Sequence, residues 1–194
     1  MIRSLSVSAT LHARRWAALA ALLLAGMAWQ LAWSSEAQDA EYRIKAAFLC
    51  KFGNYVEWPD LPASAVQAPF EVGVFATPSV ADELVIAART QTVNGRPIVV
   101  RRLERSDSID GLSLIFVARS HAARLAEVLA VVKDRPVLTV TETDPGTATG
   151  SMVNFIVVDD KVKFDISLSA AERGKLRISA RLLGVARSVT GRPS

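Results

Sequence analysis

The sequence predicts a three-layer α/β domain: a mostly parallel sheet between helices, a C-terminal antiparallel hairpin and a long closing helix. Three observations carry that class. Strand-like and helix-like runs alternate from residue 39 to residue 141. The run Leu112–Val117 (LSLIFV) is apolar almost throughout, as in a strand buried on both faces. Met152–Val158 and Val162–Ile166 flank Asp159-Asp160, a hairpin signal.

The elements follow in order. Residues 39–56 read as a helix capped by Asp39, with Ile44, Ala47, Phe48, Cys50 or Lys51, Phe52 and Tyr55 at helical spacing. Pro59 disfavours helix at Trp58 and so ends it. Pro59, Pro62 and Pro69 mark a loop over 59–69. Phe70–Phe75 is a strand. Thr77-Pro78-Ser79 opens a helix to about Arg89, because proline is tolerated in a first turn. Val93–Arg96 is a turn around Asn94-Gly95, and Ile98–Leu103 a strand. After Leu112–Val117, a helix covers about 121–133, with Leu125, Val128, Leu129 and Val132 on one face. Val137–Thr141 is a strand and Thr143–Thr149 a polar loop. Ser169-Ala170-Ala171-Glu172 reads as a capping box, opening a helix to about Val189.

The N-terminus is different in kind. Residues 1–15 hold Arg3, Arg14 and Arg15 and no acid, and residues 16–33 carry no charge. Small residues bracket Ser35-Glu36-Ala37. This is the pattern of a secretory signal peptide cut after Ala37; the alternative is an uncleaved membrane anchor. Either way, residues 38–194 form one exported domain. Cleavage lowers Lys+Arg from 23 to 20 and Asp+Glu from 19 to 18, leaving 157 residues at net +2. Such a charge does not call for nucleic acid. The single cysteine, Cys50, rules out a disulfide-knotted scaffold.

Little chemistry is available. Once His12 is removed, His121 is the one histidine, too few for a zinc site without several further ligands. No G-x-S-x-G, Walker or G-x-G-x-x-G motif occurs. Cys50 sits among apolar residues, where an inert thiol is expected. Asp159 and Asp160 are explained by a hairpin tip. The chain is therefore expected to be no enzyme and to hold no cofactor or metal.

Two features suggest contact with a partner. The closing helix carries Arg173, Lys175, Arg177, Arg181, Arg187 and Arg192 against Glu172. Arg173, Arg177 and Arg181 fall at i, i+4 and i+8, hence on one helix face. That face is either a solvated surface or a dock for an acidic partner or anionic ligand. Tyr55, Glu57 and Trp58 close the first helix, where aromatics serve either packing or an interface.

Four stretches together resemble the YfiR family of periplasmic proteins: Ile44–Pro59 (IKAAFLCKFGNYVEWP), Leu112–Val117, Gly150–Val157 (GSMVNFIV) and Phe164–Ala186 (FDISLSAAERGKLRISARLLGVA). The resemblance covers essentially all of the mature chain. It implies a compact, dimerising α/β domain without catalytic residues. It also implies a repressor that binds the periplasmic sensor domain of a membrane-bound diguanylate cyclase, lowering cyclic-di-GMP and biofilm formation. Cys50 stands where the family commonly has an aromatic, and Ser167 where it commonly has an amide. The cysteine pairs that tie some members to redox state are missing, so an internal disulfide cannot regulate this chain.

The expectation is thus a periplasmic signalling regulator acting through Tyr55, Glu57, Trp58, Arg173, Arg177 and Arg181. The alternative is a periplasmic small-molecule binding module serving a transporter or sensor kinase. Its ligand is then expected at strand C-termini, near Ala76–Ser79, Ala118–Ser120 and Thr141–Thr143.

Overall fold

The computed structural model describes residues 36, 38–59, 67–144 and 150–191. Apart from Glu36, the expected export segment lies outside these residues, as does most of the loops 59–69 and 143–149. No helix among the described residues is long and apolar enough to cross a membrane. Backbone contacts divide the chain after Ala40, and the architecture below is that of Glu41–Ser194.

Helix α1 covers 41–52. A 3-10 turn, Gly53–Tyr55, leads into the two-residue strand β1 (Val56–Glu57). Then come β2 (Phe70–Phe75), α2 (Pro78–Ala88), β3 (Thr92–Val93), β4 (Arg96–Arg102) and β5 (Leu114–Val117). A 3-10 segment, Arg119–Arg124, precedes α3 (Leu125–Val132), followed by β6 (Leu138–Glu142), β7 (Val153–Val158) and β8 (Lys161–Ser167). The chain ends in α4 (Leu168–Arg173), β9 (Arg177–Ile178), α5 (Ala180–Leu183) and β10 (Ser188–Thr190).

Eight strands form the main sheet in the order β10-β8-β7-β6-β5-β2-β4-β3. The run β4-β2-β5-β6-β7 is parallel, in a register set by pairs such as Val72↔Val100, Val72↔Leu114, Leu114↔Leu138 and Val140↔Val153. β7 and β8 are antiparallel across the expected hairpin. Asp159 and Asp160 both take left-handed φ, 50° and 55°, as the two central residues of a tight hairpin must. Asn94 and Gly95 do the same at φ 50° and 81°, which folds β3 back onto β4 as a second hairpin.

Strand alternation builds two cores. Phe70, Val72, Val74, Leu114, Phe116, Leu138, Val140, Val153, Phe155 and Phe164 face the layer that contains α1 and α2. Phe75, Ile115 and Val117 face α3 through Val128 and Val132. The sequence-based class, three layers around a mostly parallel sheet, is the class observed.

Four local expectations differ. Asp39 lies inside a helical run rather than capping it. The buried stripe of α1 is Lys45, Ala46, Leu49, Cys50 and Phe52; it keeps Cys50 and Phe52 of the expected positions, with Phe48 half-buried against the core, but turns Ala47 and Ile44, the latter 47 % exposed, to solvent. Helix α1 also stops at residue 52, because the Tyr55–Glu57 backbone is taken up by β9: Val56 faces Ile178, and Ser179 N donates to Tyr55 O at 2.9 Å. The segment 121–133 begins as a 3-10 turn, with His121 at non-helical φ −118°.

The long closing helix does not exist. The cap of α4 is Ser167, whose hydroxyl accepts from Ala170 N, so the capping box lies two residues downstream of the true cap. The helix ends at Gly174. A Cβ there would come 2.2 Å from Met152 Cε, and Lys175 follows in the left-handed region at φ 57°. Ser179 then caps the four-residue α5, and β10 runs parallel to β8 at the sheet edge.

Candidate partner-binding surface

The pieces of this surface come from opposite ends of the domain. β1 and β9 form a two-stranded antiparallel ribbon outside the main sheet. Its register sets Glu57 directly opposite Arg177 and Val56 opposite Ile178. Val56 is buried in the α1 core, while Glu57 and Arg177 are exposed. Opposite charges facing each other across such a ribbon favour the pairing by some tenths of a kcal/mol.

Trp58 fastens the ribbon to the sheet. Its Nε1 donates to Pro136 O at 2.8 Å, just before β6. Its ring meets Phe70 edge-on, with centroids 5.6 Å apart. Asn54 adds a second tie: its Nδ2 donates to Thr92 O at 3.1 Å, and its Oδ1 accepts from Asn94 N at 2.8 Å. Trp58 and Tyr55 are half-buried against the core, so packing is the principal role of both rings.

The structure therefore brings Tyr55, Glu57 and Trp58 together with Arg177, but not through a helix face. Arg173 closes α4, Arg177 lies in β9 and Arg181 in α5. Their common feature is exposure: among the described residues, Arg173, Lys175, Arg177 and Arg181 form no salt bridge, although Glu57 faces Arg177 across the ribbon. Arg187 differs, because its guanidinium grips Asp165 through Nε at 2.8 Å and Nη2 at 2.5 Å. The bidentate hydrogen bond holds Arg187 more firmly protonated than an ordinary arginine.

The other sequence candidates are accounted for structurally. Cys50 is fully buried and burial pushes its thiol up to about 11, away from the thiolate that nucleophilic chemistry needs. His121 Nδ1 lies 2.9 Å from Ser120 Oγ. No group of His, Cys, Asp and Glu suited to a metal ion occurs among the described residues.

One buried constellation has no counterpart in the sequence analysis. Lys45, on the inner face of α1, reaches Glu142 at the end of β6, with Nζ–Oε1 at 2.8 Å, and also pairs with Glu41. Glu142 accepts from Tyr42 Oη at 3.4 Å and from Arg119 N at 3.4 Å. Burial first, and the Glu142 carboxylate second, push the Tyr42 hydroxyl up to about 12. The signal was present: Lys45 stands four residues before Leu49, on the buried stripe of a helix.

A family model described as YfiR/HmsC-like matches residues 42–187. No curated protein matches the chain.

Proposed function

The chain belongs to the YfiR/HmsC-like family, and from that premise we propose that it is a periplasmic signalling regulator that works by binding a protein rather than by catalysis. Its partner is the periplasmic sensor domain of an inner-membrane diguanylate cyclase, which it restrains. The observation that carries this is the β1–β9 ribbon, which holds Arg177, together with the exposed cations Arg173, Lys175 and Arg181 on the segments that flank β9. A basic surface of this kind selects and orients an acidic partner surface. Tyr55, Glu57 and Trp58 supply the rest of the contact.

Restraint requires differential affinity. The regulator lowers cyclase output only by binding the inactive form of the sensor domain more tightly than the active form. A preference of about 100-fold shifts that equilibrium by about 2.7 kcal/mol. The N-terminal segment fits export to the periplasm, and a homodimer fits the family resemblance; sedimentation of the exported chain measures the latter.

The test is recovery from solubilised inner membranes with the full chain as bait. The expected result is enrichment of a diguanylate cyclase, weakened at least tenfold by R173E/R177E/R181E. Recovery of no signalling protein, or equal recovery by the triple variant, contradicts the assignment.

A further inference from the structure

A groove of about 350 Å³ lies between α3 and α4, at the strand N-terminal end of the sheet. That volume is at the lower end of small-molecule sites, about 300–1,000 Å³. We propose that it binds a small amphipathic monocarboxylate. The proposal rests on the groove itself; Arg173 is common to the groove and the partner surface above, and the two readings are told apart by Lys133, which belongs to the groove alone.

The chemistry of the walls selects that ligand class. Leu129, Val132 and Met152 supply apolar surface, and Lys133 and Arg173 stand exposed at the rim. Neither cation forms a salt bridge among the described residues, so both retain donors for a carboxylate. Asp134 is the one acid in the lining, and it leaves the rim with a net single positive charge. A monocarboxylate neutralises that surplus charge, whereas a phosphate dianion leaves one uncompensated negative charge at the rim. The apolar wall in turn favours an alkyl or aryl tail over a sugar.

Gly174 is part of the construction. Because a Cβ there would lie 2.2 Å from Met152 Cε and 3.2 Å from Arg135 O, glycine is what lets the Met152 side chain enter between α4 and the sheet. A smaller space, of about 220 Å³, lies beside Phe75 at the C-terminal end of β2, with Arg105, Asp107, Arg124 and Arg135 in its lining. The cleft between α1 and α2, lined by Tyr42, Lys45 and Val80, has no volume that admits a water.

Met152 is also a reporter. The chain has three methionines, Met1, Met27 and Met152, so methyl-labelled methionine gives one signal in the groove, assigned by M152L. Octanoate is titrated into the full chain. The expected result is a saturable shift of the Met152 methyl, at least tenfold weaker binding by octanol, and a similar loss in K133A/R173A. A130W, at an exposed lining position, is expected to abolish the shift while leaving the circular dichroism unchanged. No Met152 shift up to about 10 mM octanoate overturns the proposal. So does equal affinity for octanoate, octanol and octylammonium, which marks a greasy surface without carboxylate recognition. Retention of full octanoate affinity by K133A/R173A overturns the assignment of the two cations.

Discussion

Lys45 and Glu142 are 1 % and 3 % exposed, and their pair joins α1 to the end of β6. Removing Lys45 leaves the buried Glu142 with Arg119, Nε–Oε1 3.7 Å away, and the Tyr42 hydroxyl as its remaining side-chain partners, a loss of at most about 3–5 kcal/mol, whereas replacing both members with apolar groups of similar size is often neutral or stabilising. K45A is therefore expected to lose about that much in urea denaturation, and K45M/E142L to recover most of it. A K45A midpoint equal to wild type would mean that the pair is not held apart from water. Cys50 gives a second residue-scale expectation. Its folded pKa lies near 11, above the ordinary value near 9, so burial favours the neutral thiol. The stability linked to that preference is intact below pH 9 and is lost as pH rises from there toward 11. At pH 8 the native thiol is expected to react with iodoacetamide far more slowly than in the urea-unfolded chain; equal rates would contradict its burial. Both features were half legible. Cys50 reads correctly as an inert apolar-site thiol from its neighbours alone. The acceptor of Lys45 was hidden, because it lies 97 residues away and no local pattern announces so distant a partner.

At the scale of elements, the segment 168–190 separates what local pattern specifies from what tertiary contact decides. Leu176, Leu182 and Leu183 fit a helix, yet the chain there forms two short helices and two short strands. β9 exists because β1 pairs with it, and β10 because β8 does. Neither partner is close in sequence. The hairpin over 153–167 and the helix Pro78–Ala88 were legible because their turn residues and caps are local. Two glycines in the misread segment behave oppositely. Gly174→Ala places a methyl against Met152 Cε and Arg135 O, an overpacking of about 1–3 kcal/mol. Gly184 has ordinary contacts at 3.5 Å from its Cβ position and a helical φ of −67°, so Gly184→Ala is expected to stabilise by about 0.4–1 kcal/mol through the unfolded chain. Thermal melts of the two variants check the sign. A stabilising Gly174→Ala would mean that the α4 break does not depend on Met152.

For the whole molecule, the division of labour is between a sheet with two apolar cores and a small ribbon held beside it. The sheet class followed from alternating patterns in the sequence. The helix face meant to unite the candidate surface residues is absent. The β1–β9 register sets Glu57 against Arg177 and Trp58 is tied to Pro136 O, while Arg173 and Arg181 lie in the short helices on either side of β9. The surface charge therefore depends on the ribbon staying in place. W58F keeps the ring against Phe70 and removes the Nε1 donor, an expected loss of about 1 kcal/mol, whereas W58A also removes the packing and is expected to weaken partner binding by loosening Arg177. Binding of W58A equal to wild type, in a variant that remains folded, would separate the ribbon from recognition.

We propose that this chain restrains a cyclase through Arg177 of the ribbon and its neighbours Arg173 and Arg181. The most direct measurement is intracellular cyclic-di-GMP in cells lacking the gene, complemented with the wild-type chain or with R173E/R177E/R181E at equal periplasmic levels. The expected result is a rise on deletion, a return to the original level with the wild-type chain, and little or no return with the triple variant. Cyclic-di-GMP unchanged by deletion, or fully restored by the triple variant, would contradict it.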